Sequence, residues 1–123
     1  MTFRAKAAPP PYLPDRGDII HTNFSPSAGS EMALQHFAVV LTPRAYHEKT
    51  GRAIVCPITS KTKDFPFNLP IPAFPPKLPH PGAILTDQVR TLDLRARGSQ
   101  FAGRIPPATL HEIADLLFTL IED

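Results

Sequence analysis

The spacing of apolar and polar positions changes along this chain, and each change marks an element. In Asp18-Ile19-Ile20-His21-Thr22-Asn23-Phe24, residues Ile20, Thr22 and Phe24 share one face at a period of two, which predicts a first strand. Phe37-Ala38-Val39-Val40-Leu41 is apolar without interruption and predicts a buried strand, stopped by Pro43. Arg44 to Gly51 reads as one helical turn or a tight loop, closed by Gly51. Arg52 to Ile58 is a third strand, and Pro57 near its end points to an edge or a bulge. Phe67 to Ile71 is a short strand. Gly82 to Thr86 begins another that runs, with bends, to Leu94, and Gln100 to Ile105 is the last. The period then becomes helical: Leu110, Ile113, Ala114, Leu117, Leu120 and Ile121 form one apolar stripe. Pro107 suits the first turn, where its missing donor costs nothing. Leu116 and Phe118 widen the stripe beyond the needs of a simple surface helix, so a second buried contact, with another subunit, is expected.

Polar stretches separate these elements. Two loops, at about 25–36 and 60–66, are expected to be mobile and to flank a groove. The 16 prolines exclude a mainly helical domain, because each removes a backbone donor and fixes φ. They are dense over residues 66–81, which reads as an irregular linker wrapping the surface. Pro9-Pro10-Pro11 predicts a flexible or extended arm over residues 1–16, with the domain spanning 17–123. Five to seven short strands followed by one helix describe an α+β domain on a small, strongly bent antiparallel sheet or barrel.

Composition narrows the function. The net charge is only +2, so any basic surface must be local. The lone Cys56 allows no internal disulfide and fits a reducing cytoplasm. No apolar run approaches the ~18–20 residues that span a bilayer, and no secretory signal is expected at the N-terminus, so no membrane partner is expected. His21, His47, His80 and His111 lack metal-ligand spacing, and no glycine-rich phosphate loop is present. Neither a metal nor another cofactor is expected.

Four segments, in order, resemble the MazF/PemK family of mRNA interferases. They are Arg16-Gly17-Asp18-Ile19, Gly29-Ser30-Glu31, Pro57-Ile58-Thr59-Ser60, and Asp87-Gln88-Val89-Arg90 followed by Arg95-Ala96-Arg97-Gly98. The strand Ala38 to Pro43 and the stretch Tyr46 to Gly51 are similar as well, so the resemblance covers about residues 12–122. It implies a small SH3-like antiparallel β-barrel of the MazF/CcdB/Kid kind with a C-terminal helix, assembled as a homodimer. It implies metal-independent cleavage of single-stranded RNA at short motifs, and a MazE-like antitoxin whose acidic, disordered tail covers the RNA groove. The same barrel is similar to gyrase-poisoning toxins of the CcdB type. A catalytically impaired binding module for RNA, gyrase or an antitoxin is therefore the alternative.

One position departs from the family. Relatives carry an arginine in a His-Arg-Pro tripeptide soon after Gly-Ser-Glu; here His36 stands in its place, between Gln35 and Phe37, while the family's threonine is kept as Thr59. Metal-free RNA cleavage needs a base for the 2′-hydroxyl, an acid for the 5′-oxygen and donors for the phosphorus oxygens. Arginine serves the last task as a permanent bidentate cation. An imidazole, ordinarily titrating near ~6.5, serves the first or second. The expected catalytic set is His36, Thr59 and Glu31, with Glu31 positioning its loop or a partner. Ser60, Lys61, Lys63, Phe65, Gln88, Arg90 and Arg97 are the expected RNA contacts, Phe65 by stacking a base. Arg95 and Arg97, as alternate residues of a strand, would point together. Solvated charge or pairing with Asp87 and Asp93 remains the other reading of the arginine cluster. Phe67 is expected in the core, and Cys56 as a small buried hydrophobe.

Overall fold

The computed structural model describes residues 12–24, 35–61, 64–73, 78 and 80–122, with Gln35 described by its backbone alone. Seven strands form one antiparallel sheet: β1 (Asp18–Asn23), β2 (Gln35–Val40), β3 (Arg52–Thr59), β4 (Asn68–Ile71), β5 (Gly82–Leu85), β6 (Arg90–Asp93) and β7 (Gln100–Arg104). Their order is β4-β5-β3-β2-β1-β7, with β6 also pairing β3. Three helices join them, α1 (Arg44–Thr50), α2 (Leu94–Arg97) and α3 (Pro107–Ile121). The sheet curls into a half-barrel, and α3 packs on one face.

The unbroken apolar run of β2 has a simple cause. Adjacent residues of the central strands divide between two cores. Ile19, Val39 and Cys56 join Ile84, Leu78 and Ile113 of α3. Ile20, Val40 and Val55 join Phe24, Ala53 and Leu92 on the opposite face. Strands covered on both faces do not alternate. In β1 Thr22 is buried with Ile20, and so is Phe24 just beyond the strand, as their shared face requires.

Several expectations need correction. The stretch Arg44–Thr50 is a seven-residue helix, capped by Gly51 at φ +69°. His47 anchors it: buried, its ring pairs with Thr42 Oγ1 at 2.7 Å and with the Pro14 carbonyl at 2.8 Å. Pro57 lies in a central strand. Beside β2 it pairs with Ala38, but on its other side β3 pairs β6 up to Val55 and β5 from Ile58. A residue without an N–H costs least where a ladder already changes partner. Residues 82–94 are two strands separated by a turn at Thr86 and Asp87. Arg95 and Arg97 lie in α2, which Asp93 caps by accepting from the Arg95 and Ala96 amides at 3.0 and 3.2 Å. At helical spacing they do not share a face. Within 66–81, β4 is regular and Leu78 is buried in the core, so that stretch is not only a surface linker. Phe67 is half-buried rather than in the core.

Residues 12–16, assigned to an arm from the sequence, pack against the barrel; residues 1–11 of that arm lie outside the described residues. Asp18, 4% exposed, accepts from Tyr12 Oη at 2.5 Å, the Asp15 amide at 3.0 Å and Arg104 Nη1 at 2.6 Å. Burial and the Asp18 carboxylate push the Tyr12 hydroxyl well above its ordinary value, so it stays neutral and keeps donating. The Arg16-Gly17-Asp18 segment thus fastens β1 to β7 and to the chain before it. Gly17 sits at φ +91° and links both neighbours of β1, its amide donating to the Val40 carbonyl of β2 and its carbonyl accepting from Ile105 just after β7.

Cys56 is fully buried in β3, and burial pushes its thiol up to about 12, with the Asp87 carboxylate as a lesser cause. Iodoacetamide at neutral pH should leave the folded protein unlabelled and should label it stoichiometrically in denaturant. Rapid native labelling would place Cys56 at the surface.

Candidate functional site

The strand register brings the two key positions together. In the β2–β3 ladder Phe37 faces Ile58, and Ala38, Val39 and Val40 face Pro57, Cys56 and Val55. One step further along the same register, His36 stands across from Thr59. Residues directly opposite in an antiparallel pair place their Cβ atoms about 4.5–5.5 Å apart on one face. On the other side of β3, Thr59 pairs with Ala83 of β5. Thr59 therefore sits between β2 and β5, where β3 ends.

A cleft of about 220 Å³ opens at this point, lined by His36, Thr59, Ser60 and His80 over an apolar floor of Phe37 and Ile58. The Thr59 hydroxyl accepts from the Lys61 amide at 3.1 Å, the local turn expected of a threonine at a strand end. That bond occupies one lone pair of the hydroxyl and leaves its own proton to donate. His36 is held from behind by Phe24, ring centroids 6.1 Å apart. Phe24 is fully buried, so it fixes the imidazole without sealing it.

Thr59 also lines a second, wider cleft of about 460 Å³, with Lys61, Phe65, Asp87 and Gln88 on its walls. Phe65 is 47% exposed and stands 6.0 Å from Phe67, which braces it as an open ring face. Thr59 is thus common to the walls of both clefts.

His36, Thr59, Ser60, Lys61, Phe65 and Gln88 thus converge. Arg90 and Arg97 stand differently. Arg90 Nη1 donates to the Phe24 carbonyl at 3.2 Å and its guanidinium lies 5.0 Å from the Phe24 ring. Arg97 Nη1 donates to the Asn23 carbonyl at 2.9 Å. Both tie down the end of β1, and Arg90 and His36 each stand against the Phe24 ring. Glu31, Lys63 and most of the loop expected at 25–36 lie outside the described residues. His80 was not picked out as a site residue from the sequence. It sits in the proline-rich stretch, where nothing but its side-chain type signals chemistry.

Gly82 permits the close approach of β5. A Cβ built there would lie 2.6 Å from the Thr59 carbonyl oxygen and 3.2 Å from Ile58 Cγ2.

A separate groove of about 460 Å³ runs along α3, lined by Leu41, Leu110, Ile113 and Leu117 with Arg16 and His111 at its rim. It is apolar and holds no pair of groups suited to proton transfer.

Residues 15–121 match the family described as PemK-like, MazF-like toxin of type II toxin-antitoxin system. The chain is 37% identical over 110 residues to the endoribonuclease toxin MazF of Escherichia coli K12, covering 89% of this chain and 96% of that protein. It is 29% identical over 112 residues to the Escherichia coli endoribonuclease PemK, covering 87% and 81%. Its fold superposes on the crystal structure of MazF from Deinococcus radiodurans with a TM-score of 0.83, at 36% identity, covering 91% of this chain and 99% of that one. A MazE–MazF crystal structure from the same organism matches with a TM-score of 0.76 at 33% identity, covering 90% and 97%.

Proposed function

This chain belongs to the PemK-like, MazF-like toxins of type II toxin–antitoxin systems, and on that premise we propose that it is an endoribonuclease cutting single-stranded RNA at short sequence motifs without a metal. The observation that carries the reading is the meeting of His36 and Thr59 in one cleft. The RNA 2′-hydroxyl attacks its own phosphorus, the bond to the 5′-oxygen breaks, and a 2′,3′-cyclic phosphate and a 5′-hydroxyl result. His36 serves this displacement as a proton-transfer group, which an arginine at its position would do poorly. The Thr59 hydroxyl donates to a non-bridging oxygen as negative charge grows there. Lys61 supplies the positive charge that the missing arginine would have given. A base stacks on Phe65, a contact worth about 1–3 kcal/mol per base, and Gln88 reads an edge nearby. Glu31, as a positioning group, and Lys63, as an RNA contact, complete the proposed set. The need for a 2′-hydroxyl gives discrimination against DNA.

The proposed assembly is a homodimer acting in the cytoplasm. Phe118, Leu120 and Ile121 of α3 are 57%, 48% and 78% exposed, so about half of the helix's apolar stripe has no cover within one chain. No helix among the described residues is long and apolar enough to cross a membrane. The partner is a MazE-like antitoxin whose acidic tail lies along the wider cleft beside Lys61.

Incubation with a long single-stranded RNA in EDTA tests the activity. Discrete products with 5′-hydroxyl ends are expected. Intact RNA at every protein concentration would exclude the nuclease, and retention of that intact RNA in a gel shift would leave a binding module.

A further inference from the structure

We propose that His80 is a second proton-transfer residue, so that cleavage is carried by a pair of imidazoles standing on opposite sides of Thr59. The inference rests on the nuclease reading above.

The geometry of the displacement demands such a pair. Attacking and leaving oxygens lie on opposite sides of phosphorus, roughly in line. The base and the acid must therefore approach from opposite sides, with the donor to the phosphorus oxygens between them. The strand order supplies this arrangement. Thr59 is on β3, which lies between β2 and β5. His36 comes from the β2 side. His80 comes from the β5 side, two residues before Gly82, and both line the same cleft as Thr59. Neighbouring strands are about 4.8 Å apart, so groups from β2 and from the β5 side are separated by about 10 Å before their side chains turn inward. That span admits a phosphodiester between two imidazoles.

The surroundings leave both rings suited to the task. His36 faces Thr22 across β1 and Thr59 across β3, with the Phe24 ring behind it and the Arg90 guanidinium on that ring. His80 is exposed at the mouth, beside Ser60 and Gly82. Lys61, Asp64 and Asp87 stand beyond Thr59 in the adjoining cleft. Among the described residues, no carboxylate lines the cleft itself, so the two imidazoles are its titratable groups.

The step balances without a co-reactant. The neutral imidazole takes the 2′-hydroxyl proton as the bond from 2′-oxygen to phosphorus forms. The imidazolium gives its proton to the 5′-oxygen as the bond from phosphorus to that oxygen breaks. The pair finishes with its protonation states exchanged and resets through water.

The test uses the full-length protein, His36→Ala, His80→Ala and His80→Asn, with pH–rate profiles on a single-stranded RNA. Wild type should give a bell-shaped profile. Each His80 variant should lose one limb and fall by about 10²–10⁴-fold at the optimum. A second RNA carries sulfur in place of the scissile 5′-oxygen, whose thiolate leaves without a proton. One of the two alanine variants, and only one, should regain most of its rate on it. A merely structural role for His80 would not produce that selective rescue. Wild-type rates and an unchanged profile in both His80 variants overturn the pair while the nuclease stands, and so does failure of both alanine variants to recover on the sulfur substrate. A wild type that cuts neither RNA overturns the nuclease itself, and the pair with it.

Discussion

His36→Ala is expected to lower the single-turnover rate of RNA cleavage by about 10²–10⁴-fold, the usual contribution of one positioned proton-transfer group, while RNA retention in a gel shift stays near wild type. The reason is positional. His36 lines a cleft shared with Thr59, whereas Lys61, Phe65 and Gln88, the proposed RNA contacts, line the wider cleft. Removing the imidazole leaves those contacts intact. Thr59→Val keeps the shape and removes the donor, and should cost about 10²–10³-fold, the scale for one donor to a developing oxyanion. The two losses should not multiply in the double variant, because both residues serve one transition state. His36→Arg restores the family's residue in a cleft that also holds His80. It should recover part of the rate and flatten the pH dependence, since a guanidinium does not titrate in that range. Equal rates for wild type and His36→Ala would remove His36 from the chemistry.

Gly82→Ala should cost both stability and activity. The added Cβ meets the Thr59 carbonyl at 2.6 Å, and the obstacle is backbone, which cannot rotate away. β5 must separate from β3 at the position where Thr59 pairs with Ala83. Overpacking of this kind costs about 1–3 kcal/mol. The displacement falls on Thr59, the proposed donor, and a shift of about 1 Å can cost 10²-fold in rate. Gly98→Ala is the control. Gly98 has φ +63° and open space around it, so alanine there is strained by about 1–2 kcal/mol yet touches nothing in the site. Thermal unfolding and cleavage rates measured on both variants separate the effects: both lose stability, and Gly82→Ala alone loses activity beyond its unfolded fraction. Full activity in Gly82→Ala would show that Thr59 tolerates movement.

The parts of the fold legible in the sequence were those with a clear period. The stripe from Leu110 to Ile121 and the run from Phe37 to Leu41 announced α3 and β2, because burial imposes a spacing on residue types. Helix α2 escaped for want of length. Four residues carry no period, and its true signals were punctuation: Asp93 as a cap ahead of Leu94 and Gly98 after Arg97. Pro57 misled because a proline is tolerated in a central strand where one ladder changes partner, here from β6 to β5. The proline-rich stretch hid Leu78, whose burial depends on a surface supplied by β3 and β5 rather than on its neighbours in sequence.

The site was half legible. Thr59 and His36 stood out through the family's motifs, but their meeting follows from a strand register that no local pattern fixes. His80 lacked a motif, and only the approach of β5 to β3, permitted by Gly82, brings it to the cleft. Arg90 and Arg97 read from the sequence as candidate phosphate ligands. Their hydrogen bonds to the Phe24 and Asn23 carbonyls could not be seen there, since those carbonyls lie at and just past the far end of β1.

The most direct measurement is an NMR titration of the isotope-labelled protein with a short RNA carrying a 2′-deoxy nucleotide at the scissile position, so that it binds without being cut. Resonances of the His36 ring and of Thr59 should move together, with one shared dissociation constant, and those of Lys61 and Phe65 should follow. If only one of the pair responds, or the two report different constants, imidazole and hydroxyl do not attend the same phosphate.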